Sequence, residues 1–150
     1  MRRAQIREEI FKLLFRVEFN SIEDMPRQIV HFFEDPCMEN EESDDGEKVR
    51  TIPEADALYI TQKYEKIAEK ISELDSLIDS SAKGWKVGRL SKVDLTILRL
   101  AVYEMRFDDD IPVSVAINEA VELAKKFGQD ESPSFINGIL AKLAKASDHE

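Results

Sequence analysis

The sequence predicts an all-α protein, and three observations lead to that prediction. Apolar residues recur at intervals of three and four residues along most of the chain, which is the period of an α-helix. Only five Gly and five Pro occur in 150 residues, so helix breakers are few. The segments between the periodic stretches are mostly short, which favours antiparallel neighbours. At this length the chain is expected to form one domain, or two closely packed halves.

The first half of the chain predicts three helices. Residues 4 to about 19 carry their apolar side chains on one helical face. Asp24 with Pro26 predicts the start of a second helix, which ends near Pro36. The third has the cleanest period, so one long helix is expected up to the break at Ser80–Gly84. Its repeating apolar residues are Ile60, Tyr64, Ile67, Ile71, Leu74 and Ile78.

Capping residues mark the helices of the second half. Ser91 with Asp94 three residues later predicts a helix start of the capping-box type, and Asp108–Pro112 predicts the turn after that helix. Gly128 is expected to end the next helix in the left-handed conformation. Ser132–Pro133 then predicts the N-cap and the first position of the last helix.

Two asparagines stand among the apolar residues of the last two helices. Asn118 and Asn137 are both flanked by aliphatic residues, so they are expected to be buried. A buried amide needs hydrogen-bond partners, and a structural role is therefore predicted for both. Gly138 is expected to let two helices approach closely.

Charge is distributed unevenly along the chain. The net charge is −10, but eight of the fourteen residues at 34–47 are acidic, and the rest of the chain carries only −2. Residues 34–53 hold little apolar surface and are expected to form a loop. Residues 1–16 hold five Arg or Lys against two Glu, which predicts a small basic face at the N-terminus.

Composition argues against several classes of protein. A lone cysteine, Cys37, favours a reducing cytoplasm, and no apolar run is long enough to cross a membrane. The chain has two histidines and no phosphate-loop, dinucleotide, zinc-protease or C-x-x-C motif. We therefore expect no enzyme activity, no cofactor and no metal site.

Several motifs in the second half resemble the NusB family of transcription antitermination factors. They are Trp85, the segments at 89–94, 97–104 and 111–112, INEAVELAKKFG at 117–128, and FING at 135–138. The resemblance implies two packed antiparallel helical bundles of about seven helices, with halves at about 1–80 and 85–146. It also implies that the chain binds boxA RNA together with ribosomal protein NusE. That complex helps RNA polymerase resist termination, chiefly on ribosomal RNA operons.

The resemblance also assigns residues to sites. Arg3 and Arg7 match RNA-contacting arginines of the family, and Arg2 lies beside them. Two aromatics and one acid match further positions on the RNA surface, namely Phe15, Phe135 and Glu131. Two charged residues, Asp94 and Arg99, match the surface that receives NusE. Phe15 replaces a tyrosine that is usual in the family, so a hydroxyl is missing at this position.

Other interpretations of these residues stay open. Judged without the resemblance, the arginines form an ordinary solvated face and the phenylalanines belong to the core. Asp94 and Arg99 are ordinary surface charges in that case. The alternative functions are a helical protein-interaction factor with weak or lost RNA binding, or an accessory module that binds ribosomal RNA. The acidic segment either competes with RNA for the arginines or only aids solubility. The sequence does not choose between a monomer and a homodimer.

Overall fold

The computed structural model describes residues 2–19, 22–34, 52–81 and 90–148, and within these ranges every regular element is a helix. This confirms the predicted all-α class. Seven α-helices are described: α1 Arg3–Phe15, α2 Met25–Glu34, α3 Glu54–Glu69, α4 Ile71–Ser81, α5 Lys92–Phe107, α6 Val113–Phe127 and α7 Ser132–Asp148. Residues 35–51 of the acidic loop, which include Cys37, lie outside the described residues, as do Trp85 and Arg89 of the motifs named above.

The chain forms two compact units, residues 1–65 and 66–150. In the first unit a short 3₁₀ turn at Arg16–Glu18 follows α1 directly. Arg16 ties this turn to α2, because its Nη1 donates to the Gln28 side-chain oxygen at 3.2 Å and its guanidinium lies 5.2 Å from the Phe32 ring centre. The buried apolar residues of this unit are Ile10, Phe11, Leu13, Leu14, Met25, Phe32, Ile60 and Tyr64. Burial raises the pKa of the Tyr64 hydroxyl, and the charge of Glu65 adds to the effect.

In the second unit α5 is the central helix. It packs against α4, α6 and α7, and α6 and α7 pack against each other. Every residue from Leu95 to Glu104 is buried, so α5 has no solvent face over almost three turns. Neighbours on several sides are therefore required to cover it.

The predicted third helix is two helices, α3 and α4, because the chain turns at Lys70. The Lys70 N–H donates to the Ile67 oxygen, an i to i−3 bond that tightens the end of α3. The Leu74 N–H then donates to the Lys70 oxygen and begins the next helical ladder. The apolar positions keep their register across this break, since Ile67, Leu74 and Ile78 are all buried, while Ile71 beside the turn is only half-buried. The period predicted the buried face correctly except at Ile71, and it gave no sign of the turn.

The predicted N-cap at Ser91 is confirmed, because its Oγ accepts a 3.1 Å hydrogen bond from the Asp94 N–H. The prediction for Gly128 is wrong, since its φ is −92° and its ψ is −169°, which is extended backbone. Glycine is needed here for space. A Cβ at this position would lie 2.7 Å from both Cβ and Oγ of Ser132 and 2.8 Å from the Ala124 oxygen.

Ser132 is the first residue of α7 rather than its N-cap. It is 2 % exposed, and its Oγ accepts a 3.0 Å hydrogen bond from the Gln129 N–H. The Ser132 N–H in turn donates to the Gln129 oxygen. This reciprocal pair fixes the turn between α6 and α7, and the lack of a side chain at Gly128 leaves room for it.

The predicted burial of the two asparagines is also wrong, because Asn118 and Asn137 are both exposed. The buried residues of α6 are Ala116, Ala120, Leu123 and Ala124. Asn118 is two residues from both Ala116 and Ala120, which is about 200° around the helix and so on the opposite side. Gly138 is exposed as well, and among the described residues no atom lies within 4 Å of a Cβ placed there, so no described helix approaches it closely.

An ion pair joins α4 to α5 inside the second unit. Arg99 donates from Nε to Asp75 Oδ1 at 2.8 Å and from Nη2 to Asp75 Oδ2 at 2.9 Å. The side chains are only 10 % and 25 % exposed. Two parallel bonds of this kind are directional as well as strong, so they set the register of the two helices.

The two glycines described here should respond in opposite directions to alanine. Gly128→Ala is expected to lower the free energy of unfolding by about 1–3 kcal/mol, because the methyl group overlaps Ser132 and a carbonyl oxygen. Gly138→Ala is expected to raise it by about 0.5–1 kcal/mol, because the added methyl meets open space within a helix. Urea unfolding followed by circular dichroism measures both. Equal effects of the two substitutions would contradict the steric account of Gly128.

Removing the charge of Asp75 should destabilise the second unit. Asp75→Asn removes the anion that faces the Arg99 guanidinium across α4 and α5 and turns an amide donor toward it, so a loss of about 2 kcal/mol is expected. Glu122→Gln is the matched control, since Glu122 pairs with Lys125 at 3.2 Å while both side chains are more than half exposed. That control should cost less than about 0.5 kcal/mol. The ion pair has no structural role if the two variants unfold at the same urea concentration.

Candidate nucleic-acid interface

The first group of predicted RNA contacts begins at the N-terminus of α1. Arg2 and Arg3 are exposed there, and no acidic residue lies in the first turn. The Arg2 N–H donates to the Gln5 side-chain oxygen at 3.0 Å, which satisfies one of the free donors of the helix end. The positive end of the helix dipole and two guanidiniums therefore act on the same region of solvent. This combination attracts phosphate.

The third predicted arginine lies differently. Arg7 is only 8 % exposed and makes interactions of its own, so the exposed cations of the predicted set are Arg2 and Arg3. Two carboxylates follow Arg7 on the same helix. Lys12 lies 3.3 Å from Glu8 and 3.7 Å from Glu9, so a single ammonium offsets part of the repulsion that both carboxylates would exert on an anion.

Phe15 belongs to an aromatic ladder that we define as Phe11, Phe15 and Phe19. Its ring centre lies 6.2 Å from Phe11 and 5.1 Å from Phe19, and the second contact is edge to face. Phe11 is buried, Phe15 is half-buried and Phe19 is 62 % exposed. The sequence prediction missed Phe19, although its spacing of four residues from Phe15 was a visible signal.

Glu131 and Phe135 come together in the second unit, at the start of α7. Glu131 is exposed and Phe135 is half-buried. The Phe135 N–H donates to the oxygen of Glu131 at 3.1 Å, so Glu131, which immediately precedes α7, is tied to the first turn of the helix, where Phe135 lies. The Gln129–Ser132 pair fixes the backbone immediately before them. An acid and an aromatic ring are thus held on one short, well-defined segment.

The two predicted partner contacts, Asp94 and Arg99, both lie on α5. Asp94 is partly exposed, yet within the described part of the chain its Oδ1 is buried and has no hydrogen-bond partner. The partly exposed remainder of the Asp94 side chain is therefore what a partner can reach. Arg99 is already engaged by Asp75, a residue that the sequence prediction missed because it lies 24 positions away.

Within residues 2–19, 22–34, 52–81 and 90–148, no group of three or more His, Cys, Asp or Glu side chains is placed to hold a metal ion. None of the helices described here is long and apolar enough to span a membrane.

Comparisons with known proteins agree with one another. The model of the NusB family matches residues 4–145. The transcription antitermination protein NusB of Agathobacter rectalis is 48 % identical over 144 residues, which covers 96 % of this chain and 100 % of the relative. The protein of the same name from Lachnoclostridium phytofermentans is 43 % identical, with coverage of 95 % and 98 %.

Solved structures show the same fold. NusB of T. maritima superimposes with a TM-score of 0.78 at 34 % identity and covers 97 % of this chain and 92 % of its own. A chain in a crystal structure of antitermination factors NusB and NusE with double-stranded RNA gives a TM-score of 0.73 at 24 % identity, with coverage of 97 % and 99 %. The family model and the relatives each extend over nearly the whole sequence. This chain therefore belongs to the NusB family.

Proposed function

We propose that this chain is a transcription antitermination factor that binds boxA-type single-stranded RNA together with ribosomal protein NusE. In that complex it helps RNA polymerase transcribe ribosomal RNA operons. The observation that carries the proposal is the arrangement on α1, where two exposed arginines lie at the positive helix end and an aromatic ladder lies at the other. Cations bind phosphates and exposed rings stack on unpaired bases, so this helix offers both kinds of contact.

The second unit supplies the remaining contacts in this proposal. Phe135 offers a second ring for a base, and Glu131 offers an acceptor for base amino groups. Asp94 meets NusE through the exposed part of its side chain, and Arg99, which Asp75 holds and which is only 10 % exposed, meets NusE at that exposed edge. A protein of this fold has been seen with NusE and double-stranded RNA, which supports the choice of partners.

The proposal includes the wider setting. We infer that residues 1–150 act as one NusB-like domain in the cytoplasm, that the chain binds rather than catalyses, and that it works as a monomer or homodimer. The alternative is a protein-interaction factor with weak RNA binding. The burial of Arg7 and the net charge of −10 favour that alternative. The affinity for RNA distinguishes the antitermination factor from the protein-interaction factor, because both proposals predict that the chain binds NusE.

Arg3→Ala should weaken RNA binding in a manner that depends on salt. Fluorescence anisotropy of a labelled boxA-like RNA, with and without NusE, gives the dissociation constant at several salt concentrations. Loss of one phosphate contact should lower the slope of log affinity against log salt by about 0.7. Arg27→Ala is the matched control, since Arg27 is also exposed but lies on α2. The arginine assignment is wrong if both variants bind like the wild type.

Phe135→Ala should weaken RNA binding without lowering the salt slope. Loss of one stacked base is expected to cost about 1–3 kcal/mol of binding free energy. Phe135→Tyr should bind nearly as well as the wild type because the ring is retained. Capture of NusE without RNA should be the same for all three proteins, which shows that the second unit stays folded. Unchanged RNA affinity in the alanine variant would remove Phe135 from the site.

A further inference from the structure

The aromatic ladder rises from the core into solvent. Its first ring, Phe11, is 4 % exposed, its second is half-buried, and its third, Phe19, is 62 % exposed. Each ring contacts the next, at 6.2 Å and then at 5.1 Å. The buried Phe11 ring therefore packs against the half-buried Phe15 ring, which packs against the exposed Phe19 ring. These contacts restrict where the Phe19 ring can lie.

The backbone below Phe19 is fixed as well. The Phe19 N–H donates to the Arg16 oxygen at 3.1 Å and closes the 3₁₀ turn that follows α1. Arg16 is itself tied to α2 through Gln28 and the Phe32 ring. A ring in a fixed place loses little entropy when a ligand stacks on it, so this geometry favours binding.

We infer that Phe19 is a further base-stacking residue and that it continues the RNA site beyond Phe15. This inference rests on the proposed function, since Phe15 is the member of the ladder that the proposal already places against RNA. The ligand is an unpaired base of single-stranded RNA. Stacking on a ring tolerates any base, because every base has a π-face.

Charge near Phe19 decides which part of the RNA it meets. The 3₁₀ turn before it holds one acid, Glu18, and one base, Arg16, so this turn has no excess of positive charge to attract phosphate. The cations at the far end of α1 attract phosphate instead, and Arg3 lies about 18 Å from Phe15 along the helix axis. The backbone of the RNA is therefore held at the N-terminus of α1 and a base is held at Phe19.

The test uses the full-length protein, NusE and a labelled boxA-like single-stranded RNA. Phe19→Ala should bind this RNA about tenfold more weakly, with the salt slope unchanged, since no cation is lost. Phe19→Leu keeps an apolar side chain without a ring and should bind nearly as weakly, whereas Phe19→Trp should bind like the wild type. Val30→Ala is the control, because Val30 is 54 % exposed on α2 and carries no ring.

Abasic RNAs give a second measurement. A series of RNAs, each lacking one base, is titrated with the wild type and with Phe19→Ala. At one position the loss of the base should remove the difference between the two proteins. A constant difference at every position overturns the inference. Equal affinity of Phe19→Ala and Val30→Ala also overturns it, as does a Phe19→Ala variant that loses only NusE capture, because the ring then meets protein.

The outcomes separate this inference from the proposed function. Absence of RNA binding by the wild type, with NusE still captured, rejects the proposed function and this inference with it. Wild-type binding that Arg3→Ala weakens and Phe19→Ala does not weaken rejects Phe19 alone. The melting temperatures of all variants are measured together with that of the wild type. If Phe19→Ala fails to fold, the RNA affinity of Phe19→Leu is compared with that of the wild type instead.

Discussion

Burial of α5 on every side is the constraint on which the second unit depends. A helix without a solvent face must satisfy its polar side chains internally. Thr96 does so by donating to the Lys92 oxygen at 2.7 Å, and Arg99 does so through Asp75. The register of α4 against α5 follows from that ion pair. Asp94 lies one residue before the buried segment, so the buried part of α5 fixes its position.

The first unit is subject to a different constraint, because the Phe19 ring is exposed to water while the backbone that carries it stays ordered. The ladder achieves this because each ring rests on a more deeply buried one, and Arg16 holds the 3₁₀ turn against α2. The cost of exposing Phe19 is offset within the same unit by burial of Phe11 and Phe32. Phe19 is thus an exposed ring on an ordered backbone, which is the geometry that the proposed base stacking requires.

Helix periods and caps were enough to predict the fold class, the buried face of α3 and α4, and the N-cap at Ser91. The wrong predictions concern positions where the same sequence pattern is compatible with two different structures. Asn118 lies among aliphatics in sequence, but two residues along a helix lead to the opposite side. Gly128 is compatible with a left-handed cap and with a close contact, and only the position of Ser132 shows which applies. Asp75 was out of reach, because no local pattern pairs residues 24 positions apart.

Electrostatics explains how an acidic chain can suit RNA. Charges in water are screened within about 8–10 Å, so a phosphate responds to its nearest neighbours and hardly to the net charge of −10. On α1 those neighbours are Arg2 and Arg3, while Glu8 and Glu9 are partly compensated by Lys12. Few cations mean little counterion release, so stacking must supply a large share of the affinity. Stacking requires bases that are not paired, so the proposed site on α1 is expected to favour single strands over duplexes.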